Sequence, residues 1–398
     1  MWIEIGFERL FKVFDNNSQR PYSDMKFNVA SKTLYSSLSA VSKVINSKNA
    51  LTILNNFHFT LSGSVLTARA SDMENSLVAT LEVMGAEGEG TFCLDAHRMV
   101  DLLKEMPPQE MTFEIDDTTF ETIIGYPNGE FKTMAIDGNE YPAPEIDSES
   151  ERIYFTCPSP VAVSGIENTI FAVGNDELRP QMTGILWDIK PDRIIFVATD
   201  TRKLVRYSNS AVQPGAECSF ILPLKPATIL RNIFGKEDFI DISISKKSVT
   251  FSSATYKFDC RFIKGMFPDY NRVIPQNNDK ILTVDRQMFI NAMRRVTVFG
   301  NGGNGLIRFH FDDNTATLTA QDSSYGTSGR EVLSCDYQGA PLTIRFGAPY
   351  LQEIFATIST PEVIVKLADP SRPAVCLPSE NQPDTNLLMI LMPMNVVD

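Results

Sequence analysis

The amino-acid sequence predicts an α+β protein made of three tandem copies of one unit, each with two helices and antiparallel sheets. Three observations carry that reading. The same order of strand, helix, strand pair, strand, helix and further strands recurs at a period of roughly 125 residues, and self-similarity at a fixed period marks a repeated unit. Within each period the segments switch between helical and alternating apolar spacing. Two stretches rich in Pro, Asp and Asn, "DGNEYPAPEIDSES" and "GMFPDYNRVIPQNND", separate the copies as linkers would.

Each copy opens with a short strand and a helix: "MKFNVASKTLYSSLSAVSKVI", "RIYFTCPSPVAVSGIENTIFAV" and "KILTVDRQMFINAMRRVTVF". In the first helix Leu34, Leu38, Val41 and Ile45 share one face, while Lys32, Ser36, Ser39 and Lys43 fall elsewhere on the circumference. Strand pairs follow in "LNNFHFTLSGSVLTARASDMENSLVATLE", "GILWDIKPDRIIFVATDTRKLVRYS" and "LIRFHFDDNTATLTAQDSSYGTSGREVLS". Their alternating apolar residues are broken by Ser-Gly, Lys-Pro-Asp and Asp-Asp-Asn, as in hairpins with one buried face. Each pair then runs into a polar loop containing Asp, at Ser71-Asp72, Thr199-Asp200 and Gln321-Asp322.

A second strand and helix come next in "GTFCLDAHRMVDLLKEM", "CSFILPLKPATILRNIFG" and "LTIRFGAPYLQEIFATI", the middle one stopping at Gly235. Further strands complete each copy, the last of them reaching the apolar tail "LLMILMPMNVVD". Leu387 to Leu391 reads as the closing strand of the third copy, and Pro393 ends its hydrogen bonding. The domains expected are 25–148, 149–277 and 278–398, with 1–24 as an extension outside the fold. That extension carries Glu4 and Glu8 among apolar residues and lacks the basic start and apolar core of a signal peptide.

Composition narrows the function. No run of about 20 apolar residues exists, so a membrane-spanning helix is not expected and neither is a membrane partner. Six cysteines lie far apart without a CxxC pair, which suits free thiols in a reducing, cytoplasmic compartment. His58, His97 and His310 fall in different copies, so no catalytic triad, metal site or cofactor is expected. "GNGGNG", Gly300 to Gly305, fits a dinucleotide fingerprint, yet phosphate binding needs a strand before it and a helix after. Here the order is reversed. A nucleotide-binding enzyme using that loop is the alternative function, and a repeat-built structural or adhesion protein is a third.

The formal charge of −13 argues at first sight against a nucleic-acid partner, although a whole-chain sum does not exclude a local basic surface. Over the expected helices, 31–46, 95–106, 158–174, 223–235, 285–299 and 347–358, nine Lys and Arg stand against six Asp and Glu. The helices therefore carry +3 and the remainder −16. The residues leave two readings open: ordinary solvated helix faces, or a surface that meets phosphates without reading bases.

The three copies, together with "MKF" at Met25, "TILNN", "TDTRKL", "FPDYNRVIP" and the final "MPM", resemble the bacterial DNA polymerase sliding clamp, the polymerase III beta-subunit family, over Met25 to about Asn395. The resemblance implies no enzyme. It implies a DNA-clamp domain repeated three times and a head-to-tail homodimeric ring whose helices surround duplex DNA. Implied partners are the replicative polymerase, the clamp loader and repair proteins, each held by a short hydrophobic peptide.

Carried over by motif, the implied peptide pocket comprises Met182, Thr199, Thr201, Arg202, Lys203, Leu204, Pro268, Arg272, Val273, Ile390, Met392, Pro393 and Met394. The implied DNA-facing residues are Lys32, Lys43, Lys48, Arg98, Lys104, Lys225, Arg231, Arg294 and Arg295, and the dimer contact sets Phe131 near Val298 and Phe299. Where the family often has Gly-His-Arg this chain has Thr201-Arg202-Lys203, which predicts a more cationic pocket wall. The residues leave open whether the extra Asn395-Val396-Val397-Asp398 lies across the pocket, covering it in part, or away from it.

Overall fold

The computed structural model describes residues 25–143, 151–300 and 305–394. Expectations for residues 1–24, the middle of the glycine loop at 301–304 and the tail 395–398 lie outside the described residues.

The first copy contains β1 (Met25–Ala30), α1 (Ser31–Val41), β2 (Asn56–Ser62), β3 (Val65–Ser71), β4 (Asn75–Glu82), β5 (Met84–Glu87), β6 (Gly90–Asp95), α2 (Ala96–Glu105), β7 (Glu110–Ile115), β8 (Glu121–Tyr126), β9 (Gly129–Met134) and β10 (Ile136–Asp137). The second contains β11 (Ile153–Pro158), α3 (Ser159–Thr169), β12 (Gly184–Lys190), β13 (Arg193–Thr199), β14 (Lys203–Asn209), β15 (Cys218–Pro223), α4 (Leu224–Phe234), β16 (Phe239–Ile244), β17 (Ser248–Ser252) and β18 (Tyr256–Arg261). The third contains β19 (Lys280–Asp285), α5 (Arg286–Thr297), β20 (Leu306–Asp312), β21 (Thr315–Asp322), β22 (Thr327–Ser334), β23 (Asp336–Gln338), β24 (Leu342–Gly347), α6 (Ala348–Thr357), β25 (Glu362–Leu367), β26 (Ala374–Pro378) and β27 (Thr385–Leu391).

Three helix ends differ from the sequence reading. The segment 31–46 is α-helical only to Val41 and then tightens into a 3₁₀ turn, Ser42–Val44, so Lys43 sits on that turn. The segment 158–174 likewise gives α3 followed by a 3₁₀ turn, Ile170–Ala172. Helix ends commonly tighten in this way, because their last carbonyls have no partner in the α pattern. In the third copy α5 stops at Thr297, with a Gly at 300 just beyond. Two helix starts are capped by acidic side chains: Asp95 accepts the N–H of Arg98 at 2.8 Å and Asp285 that of Met288 at 2.7 Å.

The fold groups into two compact units, one of residues 1–146 with 254–259 and one of 147–253 with 260–398. In the first, one sheet runs β5-β1-β7-β8-β9 and strands β10-β6-β2-β3-β4 lie in order in another. Helices α1 and α2 pack on each other. Phe27, Phe59, Phe92 and Phe113 fill the centre, with Phe27 stacked on Phe113 at 5.0 Å and Phe59 on Phe92 at 5.1 Å.

The second unit holds the other two copies apart from residues 254–259. Its nine-stranded sheet runs β15-β12-β13-β14-β27-β26-β25-β19-β23. The closing strand β27 pairs on one side with β26 of its own copy and on the other with β14 of the second, Lys203 opposite Leu391 through Asn209 opposite Thr385. The apolar tail thus closes the third copy and also joins it to the second. This pairing makes copies two and three one compact body. Separate aromatic centres survive on each side: Trp187 with Phe196 (4.6 Å), Phe220 and Phe251, and Phe289 with Phe355 (5.5 Å) and Phe309.

The two expected linkers are more ordered than their composition suggests. The first carries β10, paired with β6, and a 3₁₀ turn Gly138–Glu140, with 144–150 outside the described residues. The second forms a 3₁₀ turn Tyr270–Val273, and the Tyr270 hydroxyl donates to Asp188 Oδ2 at 2.9 Å. Burial, then Asp188's acceptance of that bond, pushes the Tyr270 phenol up to about 12. A neutral, donating phenol pins this linker to the sheet.

Candidate functional site

The Asp-containing loops are built alike. Asp72 Oδ1 accepts the N–H groups of Glu74 and Asn75, and Asp200 Oδ1 those of Arg202 and Lys203, both at 2.9 Å. The preceding hydroxyl completes each turn: Ser71 Oγ accepts from Met73 N–H and donates to Asn75 O, while Thr199 Oγ1 accepts from Thr201 N–H and donates to Lys203 O. Both turns force a left-handed residue, Met73 at φ 74° and Thr201 at φ 77°. Glycine would take that conformation without a Cβ penalty.

The loop from Thr199 to Lys203 meets the chain's tail. Met392 N–H donates to Arg202 O at 2.8 Å, and after Pro393, Met394 N–H donates to Arg345 O at 2.9 Å. Met394 lies against Gly347, where an added Cβ would meet its sulfur. On the other side Met182 O accepts from Gly174 N–H, and Gly174 in turn lies against the backbone of Thr199 and Asp200.

Beneath this loop Leu204 and Ile390 sit opposite each other in register and share a buried cluster with Leu186, Val197, Ile221 and Tyr270. Phe267 and Ile274 of the linker pack on it, with Pro268 exposed beside them. Leu204 and Ile390 are therefore floor. The accessible apolar surface belongs to Met392, 42% exposed, and Val273, 50% exposed. These two line a groove of about 350 Å³ with Arg272, Ile274, Arg372 and Pro373.

Lys203 departs from its expected role. Its side chain is 6% exposed, 2.6 Å from Glu353 Oε2 on α6 and 3.3 Å from Asp200 Oδ2. The ammonium also lies over the Tyr350 and Phe171 rings, at 5.0 and 5.6 Å. It ties β14 to α6 and adds no free charge to the wall; its neighbour Arg202 is set over Tyr350 at 5.8 Å, and the cations that line the groove are Arg272 and Arg372. Phe171, Tyr350, Glu353, Arg372 and Pro373 were missed by the sequence reading; each comes from a distant part of the chain, and no local pattern marks them.

Among the expected DNA-facing residues, Lys32, Lys43, Lys48, Arg98, Lys104 and Arg294 are exposed, while Lys225 and Arg231 are half-buried. The apolar faces of the same helices are buried, for example Leu34 and Leu38 on α1 and Phe289 and Met293 on α5. Arg295 differs from its neighbours: both its Nε (3.1 Å) and its Nη2 engage the Glu331 carboxylate on β22. That pairing reduces its availability to phosphate.

Phe131 is on β9, the last strand of its sheet, stacked on Tyr126 at 5.6 Å and still 39% exposed. Val298 and Phe299 follow α5, and Thr327 at the start of β22 donates to Phe299 O. β22 also ends its sheet, and Val298, Phe299 and Val332 are 75, 52 and 49% exposed.

The histidines are dispersed. His58 packs on Tyr141, His97 pairs with Asp101 and His310 bonds Thr343. Among the described residues no three His, Cys, Asp or Glu gather for a metal, and no helix is long and apolar enough to cross a membrane. Around the glycine loop α5 leads in and β20 leads out, the reverse of a phosphate-binding order.

Family models for the N-terminal, central and C-terminal domains of the DNA polymerase III beta subunit match residues 25–145, 158–269 and 271–395. The chain belongs to the DNA polymerase III beta subunit family. Membership carries the beta subunit's role as a DNA sliding clamp and processivity factor. The beta sliding clamp of Staphylococcus aureus is 25% identical over 374 residues, covering 92% of this beta subunit and 98% of that one. That of Staphylococcus epidermidis is 26% identical over 375 residues, with the same coverage. In fold, the Pseudomonas aeruginosa sliding clamp solved with griselimycin superposes with a TM-score of 0.88 at 23% identity, over 94% of this chain and 100% of that one. The Bacillus subtilis clamp gives 0.86 at 22% identity with the same coverage.

Proposed function

We propose that two copies of this beta subunit, each with domains 25–148, 149–277 and 278–398, join head to tail in a ring around duplex DNA. The observation that carries this is the pair of open sheet edges, β9 in one unit and β22 in the other, each with exposed apolar residues beside it. Monomeric proteins blunt such edges; here each presents a ladder ready for a partner strand. Phe131 of one copy meets Val298 and Phe299 of the next.

Exposed cations of the helices and of the segment after the first one, Lys32, Lys43, Lys48, Arg98, Lys104 and Arg294, face the phosphates, with Lys225 and Arg231 in support. The groove at Val273 and Met392 takes hydrophobic anchors of peptides from the replicative polymerase, the clamp loader and repair proteins, in the cytoplasm. Flexible Met side chains suit a site with several ligands. Its gain is effective concentration, because a tethered polymerase rebinds instead of diffusing away.

Retention on DNA tests the ring. The dimer stays on closed circular duplex and is lost once the circle is cut, and equal retention on both forms would sink topological tethering. For the groove, Val273→Ala with Met392→Ala weakens peptide binding while leaving dimer mass unchanged. Unaltered peptide affinity would refute that site.

A further inference from the structure

The peptide groove does not end at the linker. On the far side of Ile274, Pro275 and Gln276, which line both, lies a second groove of about 330 Å³. Its floor is the sheet face of β14, β27, β26 and β25. Register places Arg206 opposite Leu388 and Lys366 opposite Val375, so a cation stands on the outer strand at each side of an apolar strip that includes Leu377. Three strand spacings separate those outer strands, about 14 Å.

The cations are not spent within the protein. Among the described residues no carboxylate lies within ion-pair distance of Arg206 or Lys366; Arg206 Nη2 donates to Asn386 Oδ1 at 2.8 Å while its buried Nε finds no acceptor. A buried acceptor is also left over: Asn278 Nδ2 donates to Lys366 O and Pro373 O, at 2.9 and 3.0 Å, which orients the amide and leaves Oδ1 without a donor. Native structures rarely leave such groups unpaired. Both atoms are shielded, so recognition falls to the Arg206 and Lys366 side chains that line the groove, and a pair of cations across an apolar strip suits carboxylates.

We propose that this second groove binds an acidic segment of the partner peptide, continuing from the apolar anchors held at Val273 and Met392; the inference rests on the peptide-groove reading above. Continuity through the shared linker residues and charge complementarity fix the occupant, because a basic or wholly apolar continuation would leave Arg206 and Lys366 unpaired. On a chain of net charge −13, such a local cationic groove also discriminates, since an acidic peptide finds few other places to dock.

Fluorescence anisotropy on the full-length dimer tests this with a labelled peptide bearing leucine and phenylalanine anchors, extended at either end by a run of Glu or of Gln. The Glu extension at one end binds about tenfold tighter than the Gln extension at low salt, as expected of a charge-assisted hydrogen bond. The gain shrinks as salt rises. Arg206→Gln with Lys366→Gln removes it and leaves the Gln-extended peptide unaffected. Equal affinity of Glu and Gln extensions at both ends, or a gain that survives the double variant, overturns the proposal. An anchor-free Glu peptide separates the two readings. If it responds to Arg206→Gln while anchored peptides ignore Met392→Ala, the acidic groove stands and the anchor site fails.

Discussion

The Lys203 clasp gives a prediction in which the smaller chemical change has the larger effect. Its ammonium, 6% exposed, has two carboxylates, Glu353 at 2.6 Å and Asp200 at 3.3 Å, and two aromatic faces. Glu353→Gln leaves that ammonium buried with one carboxylate. Stranding a buried charge outright costs about 3–5 kcal/mol, but Asp200 and the rings remain and Glu353 is itself 47% exposed, so about 1–2 kcal/mol is expected. Lys203→Met removes the charge and keeps an apolar stem against Phe171 and Tyr350. Asp200 still accepts the N–H groups of residues 202 and 203, and Glu353 turns to water. Losing the ion pair is offset by no longer desolvating an ammonium, so the net change is at most about 1 kcal/mol.

A chain of several units does not unfold in one step, so the measurement is native-state hydrogen exchange of β14 and α6 amides. Glu353→Gln opens these amides more than Lys203→Met does. The reverse order would mean that the ammonium is a net stabiliser, and the desolvation argument would fail.

Three further predictions come from other parts of the fold. Thr201→Gly relieves a β-branched residue at φ 77°; a left-handed penalty of about 1–2 kcal/mol against a glycine entropy cost of about 0.5–1 kcal/mol leaves a gain of up to about 1.5 kcal/mol, read as slower exchange in the β13–β14 turn. Gly165→Ala on α3 drives a methyl into the Phe196 ring, which Trp187 holds at 4.6 Å, and lowers local stability by about 1–3 kcal/mol, read as faster native-state exchange of α3 and β13 amides. Burial, helped by the Arg69 charge, lowers His58 to about 4. Because the folded value lies below the ordinary 6.5, the unfolded chain takes up a proton that the folded one refuses. Stability is therefore lost as pH falls through 6.5 towards 4, and the partial exposure of His58 screens the size of the effect. His58→Gln flattens that slope, and an NMR titration giving His58 a value near 6.5 would count against it.

How much was legible in the sequence varies with how local each feature is. The Asp-Asp-Asn turn between β20 and β21 declares itself through residue type, and Asp313 and Asn314 do take positive φ. Asp95 and Asp285 cap helices that their own next three residues complete. The tail was half legible: an unbroken apolar run announces a buried strand from Leu387, but nothing near it announces that its second neighbour is β14.

The candidate site shows the same division. Motif matching placed Leu204, Ile390, Val273 and Met392 together, yet it could not rank them as floor or rim, because burial depends on how the linker crosses the sheet. Lys203 was read as a wall cation since its partner is 150 positions away. By itself, then, the sequence determined the elements, their order, the turns and the threefold repetition, all set by interactions within a few residues. Only the tertiary structure decided which strand edges pair or stay open, which cations are neutralised and where apolar surface remains accessible. Those outcomes depend on register and burial between segments far apart in the chain, and a one-residue slip in register would send every side chain of a strand to the opposite face.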